Sequence, residues 1–428
     1  MLQSETVKKY DTYKDSGIEW IGEIPQEWTI SRNKNVFSCG KDIVGSASAI
    51  TQLLSLTKKG VIKKDINNTE GKQPESFDTY QYVEIDDMVM CLFDLDCSAV
   101  FSGISNFNGM ISPAYKILKC KNIVPKYADY WFRYISDGRK FNHYAKNIRF
   151  TLNYEEFSTL PILTPPLNIQ QQIADYLDKK CGEIDRVVET EKSVIERLKE
   201  YKQSLITEAV TKGLDKSVPL KDSGIEWIGK IPQNWEVLKF SNIAKVKSNL
   251  VNPNEYLSYY QISPENIEKD TGNLLNNFGT VEESGVISGN HLFFKGQILY
   301  SKIRPNLNKV IIAPFDGLCS ADMYPIETDI NTNYFLYSML SDTFVSQVKL
   351  FIENRVKMPK INQNELSNIY IAVPNDSNEQ QQIAEYLDKK CSEIDKAIAD
   401  KEQVIEKFTE YKKSLIYECV TGKRKVVE

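Results

Sequence analysis

Gln170-Gln-Gln-Ile-Ala-Asp-Tyr-Leu-Asp-Lys-Lys-Cys-Gly-Glu-Ile-Asp185 returns 210 residues later as Gln380-Gln-Gln-Ile-Ala-Glu-Tyr-Leu-Asp-Lys-Lys-Cys-Ser-Glu-Ile-Asp395, identical at 14 of 16 positions. The match continues from Glu200-Tyr-Lys-Gln-Ser-Leu-Ile206 to Glu410-Tyr-Lys-Lys-Ser-Leu-Ile416. Upstream of each copy lies a second matched box, Asp15-Ser-Gly-Ile-Glu-Trp-Ile-Gly-Glu-Ile-Pro-Gln-Glu-Trp28 and Asp222-Ser-Gly-Ile-Glu-Trp-Ile-Gly-Lys-Ile-Pro-Gln-Asn-Trp235, identical at 12 of 14 positions. The chain is one unit used twice. Two copies make a duplication rather than a solenoid.

Residues 168–212 and 378–421 predict long helices, with no internal Pro and only Gly182 before the break at Gly213. Ile184, Val188, Ile195, Leu198 and Leu205 fall on alternating steps of four and three, a heptad seam that Glu191 and Lys202 interrupt. The second copy places Ile394, Ile398, Ile405, Phe408 and Leu415 equivalently, with Lys401 and Lys412 as its interruptions. A duplicated unit that packs on itself favours pseudo-two-fold symmetry, which would run the two helices antiparallel as a coiled coil. At 1.5 Å per residue such a helix is about 66 Å long, a spacer between two globular heads.

Between box and helix, residues 29–167 and 236–375 share a layout but little sequence. In the first, Asp87–Phe93, Ala99–Ile104 and Gly109–Leu118 read as strands; in the second, Gly296–Ile303, Asn308–Ala313 and Gly317–Ile326 do. An aromatic helix follows each set (Tyr127–Tyr144, Asn333–Val348), then a closing strand, Asn153–Ile162 or Asn362–Ile371. The expected class is α+β, partitioned as a first head 1–167, a central helical spacer 168–213, a second head 214–375, and a distal helical spacer with tail 376–428. One fold carrying two different surfaces is the prediction.

Composition excludes several classes. Lys and Arg total 53 against 58 for Asp and Glu, so any nucleic-acid surface is local rather than a general basic coat. The eight cysteines form no CxxC pair, which favours free thiols in a reducing compartment over a zinc site. Neither a basic and apolar leader nor an apolar run of about 18 residues occurs, so a cytoplasmic protein without membrane association is expected. No Asn-Pro-Pro-Tyr or Asp-Pro-Pro-Tyr motif is present, and each Gly-Lys pair is followed by Asp42, Gln73, Ile231 or Arg424, never the Ser or Thr of a phosphate-binding loop. His143 and His291, the two histidines, read as packing or surface residues.

The two Trp boxes, with the Pro165-Pro-Leu-Asn-Ile-Gln-Gln-Gln-Ile-Ala174 approach to the helix, resemble the specificity subunit of type I restriction-modification systems over essentially the whole chain. The second approach departs from the pattern, with Pro374-Asn-Asp-Ser-Asn-Glu379 replacing the double proline. The resemblance implies two target-recognition domains, each reading half of a split DNA site, alternating with helical spacers. It also implies a chain without catalysis or cofactor of its own. Its partners would be double-stranded DNA, two modification subunits that use S-adenosylmethionine to methylate adenine, and restriction subunits that use ATP and Mg2+.

The DNA surface itself is the faintest signal, since the first head is slightly basic and the second slightly acidic. Lys302, Arg304 and Lys309, with Asn306 and Asn308, lie on a strand-turn-strand element; Lys and Arg suit phosphates or guanine, and Asn suits adenine edges. A solvated hairpin is the competing reading. Arg355, Lys357 and Lys360, with Lys146 and Arg149 in the first head, form a second candidate group, against which stands simple pairing of an Arg with a carboxylate. Lys58 and Lys59, near Lys63 and Lys64, read as a loop able to touch phosphates. Competing functions are an unrecognised single-chain DNA methyltransferase or nuclease, which bound S-adenosylmethionine would reveal, and a coiled-coil scaffold without a DNA role, which sequence-specific binding would exclude.

Overall fold

A computed structural model describes residues 8–58, 60–65, 74, 76–95, 102–144, 151–353, 355 and 358–426. The expected helices are present as Leu167–Lys212 and Ser377–Val420, called here the central and C-terminal helices. Two compact units emerge, Met1–Glu191 with Gln403–Glu428, and Lys192–Glu402. Each unit thus owns one head and part of both helices, so the helices are not bodies separate from the heads.

In the first unit a four-stranded antiparallel sheet runs in the order Phe37–Gly40, Lys116–Cys120, Met88–Met90, Ser102–Ile104. The second unit repeats that order with Ala244–Val246, Met323–Thr328, Ile298–Ser301, Val310–Ile312. Each head closes on a second antiparallel pair, Thr29–Arg32 with Pro161–Thr164 and Trp235–Lys239 with Tyr370–Pro374. The expected closing strand is therefore shorter than its sequence stretch. Its first half is a helical turn, because Asn153 and Asn362 form capping boxes with Glu156 and Glu365.

Repeated residues make repeated contacts. The Gln170 amide donates to the Pro165 carbonyl at 2.8 Å and accepts from the Val124 N–H at 2.9 Å; Gln380 does the same with Pro374 and Asn331 at 2.9 and 3.0 Å. Tyr127, fully buried, donates to the Leu163 carbonyl, as Tyr334 donates to that of Ala372. Tyr130 reaches Asp178 at 2.9 Å and Tyr337 reaches Asp388 at 2.7 Å, bolting each aromatic helix, Pro125–Asp137 or Thr332–Leu340, to a long helix. Trp28 and Trp235, at 1% and 0% exposure, are core residues of their units.

The long helices run antiparallel within each unit. In the first, Tyr176 lies against Arg424 while Asp185 meets Lys412. In the second, Lys202 meets Asp395, and Gly213 lies beside Glu379. All ten predicted seam residues are buried or half-buried: Ile184, Ile195, Ile394 and Leu415 fully, the others partly.

Each head also carries a second sheet of the same order, filled by different residues. In the second head it is five-stranded, Leu250–Val251, Asn290–Phe293, Gly317–Cys319, Tyr260–Ile262, Gly279–Thr280, with a parallel pairing between Tyr260–Ile262 and Gly317–Cys319. In the first, Gln81–Val83 pairs with Gly109–Ile111, Ile43 bridges antiparallel to Gln81, and Leu53, which leads into the antiparallel hairpin Leu54–Thr57 with Gly60–Lys63, bridges in parallel to Met110. Separate small cores support them, around Leu54, Val83 and Ile111 in one head and Ile262, Phe293 and Cys319 in the other.

Candidate nucleic-acid interface

In the second head, strand Ile298–Ser301 leads through Lys302-Ile-Arg304 into the single turn Pro305–Leu307 and back along Val310–Ile312. Arg304 and Asn308, on either side of that turn, both adopt left-handed backbone conformations, with φ of 45° and 40°. Such a conformation is costly for a side chain with a Cβ and persists only when its surroundings hold it. They do hold it here. The Arg304 N–H donates to the Pro359 carbonyl at 2.8 Å, and the Ile361 N–H to that of Lys302 at 2.9 Å.

The five residues predicted on this element divide by environment. Arg304 and Asn306 are exposed. Lys302 is half-buried with its ammonium 5.3 Å above the Tyr324 ring, and Lys309 donates to the Pro264 carbonyl at 2.7 Å. Asn308 departs from the expectation of a base-reading amide: it is 1% exposed and donates to the Met339 carbonyl at 3.0 Å. It braces the turn. Burial first and Lys302 second push the His291 pKa down.

The second predicted group is largely paired or undescribed. Arg355 forms a salt bridge with Glu365, the capping residue of the turn Gln363–Ser367, which is the carboxylate pairing that competed with a DNA role. Lys360 pairs with Asp322 at 3.0 Å. Lys357, Lys146, Arg149 and Lys59 lie outside the described residues, as do residues 99–101 of a predicted strand. Lys58 is exposed on the turn of the Leu54–Lys63 hairpin; Lys63 sits 4.9 Å over the Phe107 ring, and with Lys64 it borders a cleft of about 500 Å³ against Ala49–Leu53.

Sequence reasoning passed over one surface. Asn252-Pro-Asn-Glu-Tyr256-Leu-Ser-Tyr259-Tyr260 leads into the five-stranded sheet, where Tyr259 and Tyr260 are exposed and the Tyr260 ring lies 4.8 Å from that of Phe315 at a tilt of 47°. Aromatic rings interleaved with amides were the available signal. Among the described residues no group of His, Cys, Asp and Glu could hold a metal ion.

Parts of the chain, and its fold, are similar to known proteins. Residues 232–407 match the family model for the type I restriction modification DNA specificity domain. Over that stretch this chain resembles the type I restriction-modification specificity subunits. It is 33% identical to the type I restriction enzyme EcoDI specificity subunit of Escherichia coli over 51% of this chain and 52% of that one, so it spans about half the length of that relative. It is 25% identical to a Methanocaldococcus jannaschii protein provisionally named as the specificity subunit of the type I restriction enzyme MjaX, over 95% and 96% of the two chains. Its fold resembles a solved type I restriction-modification structure concerned with complex assembly and conformational transition, with a TM-score of 0.68 at 11% identity, covering 93% of this chain and 98% of that one.

Proposed function

We propose that this protein reads a split, asymmetric sequence in double-stranded DNA, one half-site per head, and lends that specificity to subunits that carry the catalysis. The observation that carries the reading is the contrast within each head. The strand order, the Trp box and the Gln–Tyr bracket to the helices are repeated, while the residues that form the outer strands and their small cores differ. Different outer surfaces suit different base sequences, and identical inner surfaces suit two copies of the same partner.

In this reading the matched helices and boxes dock two modification subunits, and restriction subunits join that assembly. S-adenosylmethionine, ATP and Mg2+ belong to those partners. No helix among the described residues is long and apolar enough to cross a membrane, which supports a cytoplasmic site of action beside the chromosome. Co-expression with the neighbouring modification gene, followed by mapping of methylated adenines in host DNA, tests the reading. A bipartite motif with two unlike halves is expected; a palindromic motif, or methylation without this chain, would overturn it.

A further inference from the structure

The first unit contains a cleft of about 310 Å³ bordered by Thr57, Lys58 and Gly60 of the hairpin, Ser102, the end of helix Pro125–Asp137, and Thr409, Lys412, Lys413 and Ile416 of the C-terminal helix. Four cations line it. Arg133 pairs with Asp129 at 2.8 Å and Lys412 with Asp185 at 2.7 Å, whereas Lys58 and Lys413 have no ion pair among the described residues. Against them the lining offers one described carboxylate, Asp137. Burial pushes the Asp137 pKa up while Lys413, Arg133 and Lys412, in that order, pull it down, so three of the four cations act on one point. The Ser102 hydroxyl, at the edge of the cleft, is buried without a hydrogen-bond partner.

The second unit builds the same framework without this feature. At the position equivalent to Lys413 stands Gln203, whose amide donates to the Leu340 carbonyl at 2.7 Å and to Asp342 at 3.0 Å. The Asp342 N–H donates in turn to the Thr207 hydroxyl at 2.9 Å, and helix Asp342–Ile352 follows directly. A neutral side chain whose amide nitrogen makes two hydrogen bonds suffices to finish this corner of the fold. In the first unit four cations share the cleft with Asp137 and with the partners of Arg133 and Lys412, Asp129 and Asp185, which leaves an excess of one positive charge that favours an anion.

We propose that the cleft of the first unit seats a backbone phosphate of duplex DNA, an anchor that reads no base; this rests on the DNA-reading function proposed above. A phosphodiester offsets that excess charge and supplies acceptor oxygens to Lys58 and Lys413 beside the already paired Arg133. Lys58 lies on the hairpin that also carries Lys63 and Lys64, so a strand followed along this hairpin meets a succession of cations.

The test uses the full chain and two variants, Lys413→Gln, which installs the residue used at the equivalent position of the second unit, and Lys58→Ala/Lys413→Gln. Affinity for the methylated-site duplex and for an unrelated duplex is measured between about 50 and 200 mM salt. Both duplexes should weaken by the same several-fold factor, with the log–log salt slope falling by about 0.9 for each phosphate no longer neutralised and the melting temperature unchanged. Unchanged affinity and slope would overturn the proposal, as would a loss confined to one sequence. Calorimetric binding of inorganic phosphate that Lys413→Gln abolishes, with duplex affinity intact, would also overturn it, since the cleft would then take a free anion. If the wild type shows no preference for any duplex, the function proposed above fails, while the salt slope on non-specific DNA still decides the cleft.

Discussion

Lys202, only 8% exposed in a largely apolar helix seam, holds both carboxylate oxygens of Asp395 at 2.7 Å. The sequence-equivalent pair, Lys412 with Asp185, recurs at 2.7 Å with the helices exchanged. What reads in the sequence as a flaw in the heptad pattern is a register lock, since a seam lysine is tolerated only opposite a carboxylate and only one register provides it. Lys202→Ala should cost about 1–3 kcal/mol, below the range for a fully buried pair because Asp395 retains solvent. Lys412→Ala should cost less, its side chain being 23% exposed against 10% for Lys202. Urea denaturation of the two variants checks the order; equal losses would show that burial does not govern it.

Each long helix ends on a glycine that touches a Trp box. Gly213 has φ of 71° and a Cβ there would lie 3.3 Å from Trp235; Gly422 has φ of 75° and a Cβ there would overlap Pro25 while reaching 3.3 Å from Trp28. Alanine meets backbone strain of about 1 kcal/mol at both sites. Both also lie close to a buried indole, but only at Gly422 does the added Cβ overlap a second ring, that of Pro25. Gly422→Ala should therefore lower the melting temperature more than Gly213→Ala in calorimetry.

The described cysteines are free thiols, and burial dominates their ionisation. It pushes Cys120 and Cys419 up to about 12 and Cys391 to about 11. The folded state thus keeps these protons after the unfolded chain, titrating near 9, has released them. The contribution is fully present below pH 9 and is lost as pH rises through 11 to 12. Native protein at pH 7.5 should alkylate slowly at these three positions, and its stability should fall progressively above pH 9. Rapid alkylation of native Cys419 would contradict its placement in the core.

The framework was legible in the sequence because duplication marks what must be kept. Gln170 and Gln380, Trp28 and Trp235, and the seam residues recur because each copy solves the same packing problem. The candidate interface was legible only as residue types. Asn306 and Asn308 are identical in sequence terms, yet one is exposed and the other sealed, because the turn between Arg304 and Asn308 is set by contacts to Met339 and Pro359, remote in the chain. Arg355 and Lys413 likewise differ in pairing, Arg355 forming a salt bridge with Glu365 while Lys413 shares its cleft with Asp137 without an ion pair among the described residues.

Arg304 and Asn308 offer a paired test of that distinction. Arg304→Ala should weaken recognition of one half-site alone, by about 1–3 kcal/mol if the guanidinium reads a guanine. Asn308→Ala should instead lower stability by about 1–3 kcal/mol by removing the amide that bonds the Met339 carbonyl in the core. Competition binding on half-site variants, read beside thermal unfolding, separates them. Wild-type discrimination in Arg304→Ala would remove that residue from the interface.

If helix length sets the gap between half-sites, seven added residues keep the heptad phase and lengthen a helix by about 10 Å, close to three base pairs. Insertion after Leu198 alone would not test this cleanly. Both long helices contribute to each unit, and an unmatched insertion would pull the central helix out of step with its antiparallel neighbour. The register supplies the remedy. Four residues along both helices from the Lys202–Asp395 pair, Leu198 and Lys199 face the junction of Ile398 and Ala399. Seven residues inserted at both places leave Lys202–Asp395 and Lys412–Asp185 each intact within its own unit. Genome-wide methylation mapping of the doubly extended protein should then return both half-site sequences unchanged with about three more unread base pairs between them. An unchanged gap would show that spacing is fixed by contacts of the heads rather than by helix length.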